Sequence, residues 1–341
     1  MRILVVSSFP PRRCGIGSYA SAQVERLRAG GDEITVLSPP DGAGDVRVPF
    51  VRGREFREAR RRGDGFDRIL VHFQPSLHYR RGATAAVSKI LTSAALLRLV
   101  RRRPQTEILV HEAVPHPPRW RPDHALLRAA FARASLLFHT DAERRSLERD
   151  YAIATRARLV DHREGVMAHA APSKGDARRD LGLDPDERLF VCLGFLHPAK
   201  GYERAIEAFD RAGRPGRLVV VGSVREPTPE NLAYARRLRH LVDGRRHIEL
   251  REGFVSDDGF DAWIAAADRI VLPYTRAWSS GALAHAGVLG TPAFVSAIGG
   301  LPEQAGPDDE IFGSDEELVE LFRRFGDDAR VPPPDRVAGR P

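Results

Sequence analysis

Ten short apolar runs rich in valine, isoleucine and leucine recur along this chain, and helix-forming stretches separate them. In the first half they occupy residues 3–7, 34–37, 68–72, 108–111 and 135–138. In the second half they fall at 189–193, 218–221, 248–250, 269–272 and 293–296. A strand that is apolar on every residue is buried on both faces, and burial of both faces belongs to parallel sheets covered by helices. Five such strands per half predict two doubly wound α/β domains. At 341 residues the chain is long enough for two cores. Small, charged and proline residues cluster near 170–184, which sets the expected domains at 1–172 and 173–330. The proline-rich segment 331–341 is expected to be an irregular tail.

Composition removes several classes. Two cysteines, Cys14 and Cys192, exclude a disulfide framework and any four-cysteine zinc site. The opening apolar run is too short for a signal peptide and reads as a strand. Residues 277–302 carry no charge, but seven glycines and prolines interrupt them, so a spanning helix is not expected there. These features predict a soluble, cytoplasmic protein. Residues 1–172 carry a net charge of +12 and the remainder −5, which points the first half at something anionic. Zinc-finger spacing, interleaved aromatic and basic residues, and a basic arm before heptads are all missing, so nucleic acid is not an expected partner. The densest basic segments are 52–62 and 101–103, and the helical stretch 83–100 runs into the second. They read either as solvated helix faces or as a peripheral contact with an anionic membrane. Of the 53 basic residues only Lys89, Lys174 and Lys200 are lysine.

Ligands of open parallel sheets bind beyond the carboxyl ends of the strands, so residues that follow strands directly carry the functional signal. After the first strand comes Pro10-Pro11-Arg12-Arg13-Cys14-Gly15-Ile16-Gly17, where Gly15 and Gly17 let backbone N–H groups approach an anion or a sugar at a helix start. The full dinucleotide fingerprint is absent, and no acidic residue ends the second strand, which argues against a nicotinamide enzyme. Strand 189–193 runs into Gly194-Phe195-Leu196-His197-Pro198-Ala199-Lys200-Gly201, a loop able to set an ammonium against a phosphate. Phe254 and Val255 follow strand 248–250 and suit the border of a flat base. Ser279, Ser280 and Gly281 open a small-residue helix, where hydroxyls and amides can meet a diphosphate.

In order and spacing these motifs resemble glycosyltransferase family 4, retaining enzymes of the GT-B fold. Ala267-Asp268-Arg269-Ile270-Val271-Leu272-Pro273, Gly290-Thr291-Pro292 and Gly299-Gly300-Leu301-Pro302-Glu303 complete the set. The resemblance implies two Rossmann-like domains facing a cleft, with a nucleotide-diphosphate sugar as co-substrate and neither a metal nor another cofactor. It implies a glycan, lipid-linked or small-molecule acceptor on the first domain, and a place in building the cell envelope. Carried over, Gly15, Gly17 and Gly194 lie against the donor, and Lys200 contacts its diphosphate. Phe254 and Val255 border the base, while Ser279, Ser280 and Gly281 meet the sugar–phosphate end. His111, after the fourth predicted strand, lies near the reacting sugar; a core or capping histidine is the other reading of that residue. The glutamate pair usual in the family falls on Ala277 and His285, and the arginine usual after the first loop glycine is Phe195. His285 retains the ability to hydrogen-bond a ribose hydroxyl. Two rivals to a transferase stand beside it: a degenerate member that binds nucleotide sugar or a partner without turnover, and a sugar-nucleotide epimerase.

Overall fold

The computed structural model describes residues 1–79, 85–113, 120–166 and 172–327; the tail expected at 331–341 lies outside them. The chain divides into two compact units, each built on one parallel sheet. Among the described residues the first unit holds 1–166 together with 276–288 and 298–305, and the second holds 172–275, 289–297 and 306–327. Two stretches beyond residue 172 thus cluster with the first unit.

The first sheet has seven strands: β1 (Arg2–Val6), β2 (Glu33–Ser38), β3 (Val46–Arg47), β4 (Arg68–Phe73), β5 (Thr106–Val110), β6 (Ser135–Phe138) and β7 (Arg156–Leu159). Their order is β3-β2-β1-β4-β5-β6-β7, and all neighbours are parallel. Val5 sits opposite Val36 on one side and Leu70 on the other. Alternation along β1 sends Ile3 and Val5 into one core layer and Leu4 and Val6 into the other. Helix Ala85–Arg102 covers one face with Leu96, Leu99 and Val100, and helix Gly15–Ala29 covers the opposite face with Tyr19 and Val24.

The second sheet has six strands: β8 (Leu189–Leu193), β9 (Arg217–Gly222), β10 (Ile248–Glu252), β11 (Arg269–Leu272), β12 (Ala293–Ser296) and β13 (Glu310–Phe312). Their order is β10-β9-β8-β11-β12-β13, again parallel throughout. Phe190 and Cys192 on β8 pack into a core completed by helices Tyr202–Arg211 and Asp315–Asp327.

The expectation of five strands per half is corrected to seven and six. All three additional strands are short edge strands. β3 has two residues, β13 has three, and β7 reads Arg-Ala-Arg-Leu with every residue exposed, so none carries the apolar run that marks a buried strand. The insertion of β3 also makes the strand before His111 the fifth rather than the fourth.

In each sheet the strand order reverses once, between β1 and β4 in the first and between β8 and β11 in the second. Such a reversal is where open parallel sheets place their ligands, because loops leaving the two neighbouring strands run to opposite sides of the sheet. The uncharged stretch 277–302 folds into helix Gly281–Leu289, β12 and helix Leu301–Gln304. No helix among the described residues is long and apolar enough to cross a membrane.

Candidate functional site

In the second unit, the reversal point is where the Lys200 loop sits. Gly194 leaves β8 with φ +136°, and a one-turn helix, Pro198–Lys200, follows. The His197 side chain caps that turn by accepting from the Ala199 N–H at 3.1 Å. Gly201 then takes φ +59°, and a side chain there would put its Cβ 2.2 Å from the backbone oxygen of Pro273, so only glycine fits. The close approach ties the loop to the end of β11. The Thr275 N–H donates to the Ala199 oxygen at 3.0 Å, and Arg204 Nη1 donates to the oxygens of Pro273 and Tyr274 at 3.1 and 3.2 Å. The Lys200 ammonium stands 3.8 Å from the centre of the buried Tyr274 ring. A cation over an aromatic face is held without losing its charge to a carboxylate, which leaves it able to neutralise an anion.

Phe195 lies where the resemblance places an arginine, and Arg225, from the loop after β9, lies over its ring at 5.4 Å. An arginine from the neighbouring loop thus lies against the residue that stands in the arginine's place, a proximity that the linear sequence hides. Phe254 and Val255 follow β10, which β9 separates from β8. Phe254 is 47% exposed.

In the first unit, Gly15 and Gly17 stand in the first turn of helix Gly15–Ala29, whose N-cap residue is Cys14. Gly15 is open to solvent, whereas Gly17 packs against Ser8 and Phe9. Tyr19, one turn on, lies at the centre of a histidine cluster. Its ring centre is 5.7 Å from that of His72, 5.1 Å from His111, 5.3 Å from His139 and 5.6 Å from His162. His72 belongs to β4, His111 follows β5, His139 follows β6 and His162 lies beyond β7, so parallel strands deliver each imidazole to the same end of the sheet. Burial pushes His72 down to about 3 and His139 to about 4, and holds His111 and His162 well below the ordinary histidine value. The cluster is neutral at pH 7. Tyr19 Oη, His72 Nε2, His139 Nε2 and His162 Nδ1 are buried without hydrogen-bond partners among the described residues. No group of three or more histidine, cysteine or acidic side chains among the described residues is placed to hold a metal ion.

The segment 276–288 joins this neighbourhood. His285 lies near enough to His162 to disfavour its protonated form, and Ser279 lies against Glu143. Glu143 closes a capping box with Thr140 at the start of helix Asp141–Tyr151, and burial pushes its carboxyl up to about 7. Ser280 caps helix Gly281–Leu289 by accepting from the Leu283 N–H at 3.3 Å, and its own N–H donates to Gln304 Oε1 at 2.8 Å. Gly281 is exposed. Glu303 accepts from the N–H groups of Asp141 and Ala142 at 2.7 and 3.1 Å, which makes it an anion at a helix N-terminus.

Thus Gly15, Gly17, His111, Ser279, Ser280, Gly281 and His285 belong to the first unit, and Gly194, Lys200, Phe254 and Val255 to the second. Sequence reasoning missed Tyr19, His72, His139, His162 and Glu143. The available signal was positional: His72 is the last but one residue of a buried strand, and His139 directly follows one.

Two parallel-sheet Rossmann-like units of seven and six strands make up the GT-B architecture. Residues 187–326 match the family model described as Glycosyl transferases group 1. An uncharacterized glycosyltransferase of Methanocaldococcus jannaschii, MJ1607, is 32% identical over 130 residues. That alignment covers 37% of this chain and 31% of the relative's length. Sucrose-phosphate synthase of Thermosynechococcus elongatus superposes with a TM-score of 0.67 at 18% identity, covering 95% of this chain and 89% of its own. Alr3699/HepE of Anabaena, solved in complex with UDP, superposes with a TM-score of 0.70 at 13% identity over the same shares. These likenesses establish the fold and mark 187–326 as a glycosyl transferases group 1 domain.

Proposed function

We propose that the chain is a retaining glycosyltransferase that moves a sugar from a nucleotide-diphosphate sugar to an acceptor without a catalytic metal. The observation that carries the reading is the Lys200 ammonium, held over Tyr274 at the strand-order reversal of the group 1 domain. Transfer breaks the bond between the anomeric carbon and the diphosphate oxygen while negative charge builds on that oxygen. Lys200 would meet that charge with a fixed cation, and Ser279, Ser280 and Gly281, at a helix start, would present amides and hydroxyls to the donor. The acceptor oxygen bonds to the same face of the anomeric carbon, and its proton passes to the departing diphosphate. His111 would hydrogen-bond the transferred sugar, and Gly15 and Gly17 would admit backbone N–H groups to it. Phe254 and Val255 would border the base, with Gly194 behind the diphosphate and His285 on the ribose. HepE was solved with UDP and with UDP-glucose, which supports a nucleotide sugar as the donor class. The acceptor is a glycan, a lipid-linked sugar or a small molecule.

The test uses purified full-length chain and a panel of nucleotide sugars, read by thermal shift and by slow donor hydrolysis. A bound donor raises apparent stability by mass action. One donor is expected to shift the melting temperature and to be hydrolysed; a panel that does neither overturns the proposal. A second reading is favoured by Ala277 and His285, which stand where the family resemblance places two glutamates. It makes the chain a binder of nucleotide sugar without turnover, and a thermal shift with no hydrolysis and no transfer selects it.

A further inference from the structure

The contact between His72 and His111 has a geometry that fixes a proton. His72 Nδ1 and His111 Nε2 are 3.0 Å apart. The ring centres are 5.2 Å apart and the planes differ by 23°. The centre-to-centre distance exceeds the nitrogen–nitrogen distance by about two ring radii, so the rings meet edge to edge along an N–H···N line. One nitrogen donates and the other accepts, which leaves two assignments for a neutral pair.

If His111 donates from Nε2, then His72 carries its proton on Nε2. That atom is buried and has no partner among the described residues, so the assignment leaves an orphaned N–H. If His72 donates from Nδ1, its Nε2 is left as a bare lone pair. A buried N–H without an acceptor is the rarer and costlier defect. The ring of His72 is held by burial: the residue is fully buried on β4, with Tyr19 5.7 Å and His111 5.2 Å from its ring centre, and His78 Nε2 donates to its backbone oxygen at 3.0 Å. His78 is itself buried and faces Glu55 through Nδ1 at 3.1 Å.

We infer that His72 is a positioning residue whose Nδ1–H donates to His111 Nε2, fixing His111 as a neutral imidazole with its one proton on Nδ1. His111 thereby faces the carboxyl end of the first sheet as a hydrogen-bond donor and is unable to act as a base through Nδ1. The depressed pKa values of both rings keep the pair neutral through the physiological range. Its use toward a sugar oxygen rests on the transferase reading above; the tautomer itself does not.

The experiment is a long-range proton–nitrogen correlation spectrum of the full chain labelled with 15N-histidine at neutral pH, with His111 assigned through His111→Gln. The wild type is expected to show the His111 proton on Nδ1. His72→Asn places an amide N–H near the position of Nδ1 and is expected to keep that tautomer, whereas His72→Phe is expected to release His111 into a mixture. Where a donor is turned over, His72→Phe is expected to lower kcat by about 10–100-fold with little change in KM, and His72→Asn to recover most of the loss. A wild-type proton on Nε2, or an unchanged tautomer in His72→Phe, overturns the inference. Should His72→Phe fail to fold, the wild-type and His72→Asn spectra still decide. Because the spectra need no substrate, a chain that turns over no nucleotide sugar leaves this reading standing while the transferase reading falls.

Discussion

Lys200 shows how much one residue can reveal through composition alone. In a chain that writes 50 of its 53 cations as arginine, a lysine six residues after a strand-ending glycine is conspicuous. The fold adds Tyr274, which sequence spacing does not connect to it. Truncating the ammonium removes the cation proposed to meet the leaving diphosphate. Lys200→Ala is therefore expected to lower donor turnover by about 10²–10³. Since a cation–π contact of a half-buried lysine is worth about 1–2 kcal/mol, the variant should stay folded. Turnover assays beside a melting curve check this, and wild-type rates would remove Lys200 from the reaction. The histidines are not legible in this way. His72, His111, His139 and His162 each follow or end a different segment, and only the parallel order β1-β4-β5-β6-β7 gathers them around Tyr19. Proximity that arises from sheet topology leaves no local mark.

At the scale of elements, the buried strands are readable because apolar content on both faces is a local property, and β6, β8, β11 and β12 match their expected bounds. The edge strands are not, because an edge strand is defined by its neighbour rather than by its own sequence. β7, with two arginines and four exposed residues, is a strand only because β6 offers it hydrogen bonds. Packing between elements is equally silent. The turn His162–Gly165 lies against helix Gly15–Ala29, and a Cβ at Gly165 would fall 1.8 Å from Tyr19 Cδ2. Nothing local to Gly165 announces that it admits the ring at the centre of the histidine cluster. Gly165→Ala must displace either the turn or Tyr19, and overpacking of this kind costs about 1–3 kcal/mol. A lower midpoint in urea with an unchanged slope is the expected result. An unchanged midpoint would mean that the ring moves freely and that the cluster is not a packed unit.

At the scale of the whole molecule, the two densest basic segments of the first half come together. Segments 52–62 and 101–103 are far apart in sequence, yet Arg103 Nε donates to the Arg60 oxygen at 3.0 Å. Arg54, Arg57, Arg60, Arg61 and Arg103 line a shallow cavity of about 600 Å³. Glu58 is the one acid in its wall, and the hydrogen bond from Arg61 holds its carboxyl at about 2, so it stays ionised; Asp64, outside the wall, pairs with Arg103, and Arg54, Arg57 and Arg60 carry the excess. Helix Ala85–Arg102 runs beside this surface with Val87 55% exposed and Leu91 40% exposed. Exposed apolar side chains next to an excess of arginines match the interface of an anionic bilayer, where cations stay at the headgroups and apolar groups enter below them. On that argument, the chain is expected to sediment with phosphatidylserine-containing vesicles at low salt and not with neutral phosphatidylcholine ones. Each arginine near such a surface contributes about 1 kcal/mol. The triple replacement of Arg54, Arg57 and Arg60 by glutamine should therefore weaken binding by about 3 kcal/mol, on the order of 100-fold. Added salt should release the wild type, since exposed charges are screened beyond a Debye length. Equal sedimentation with both kinds of vesicle, or a triple variant that binds as the wild type does, would leave these arginines as a solvated helix face.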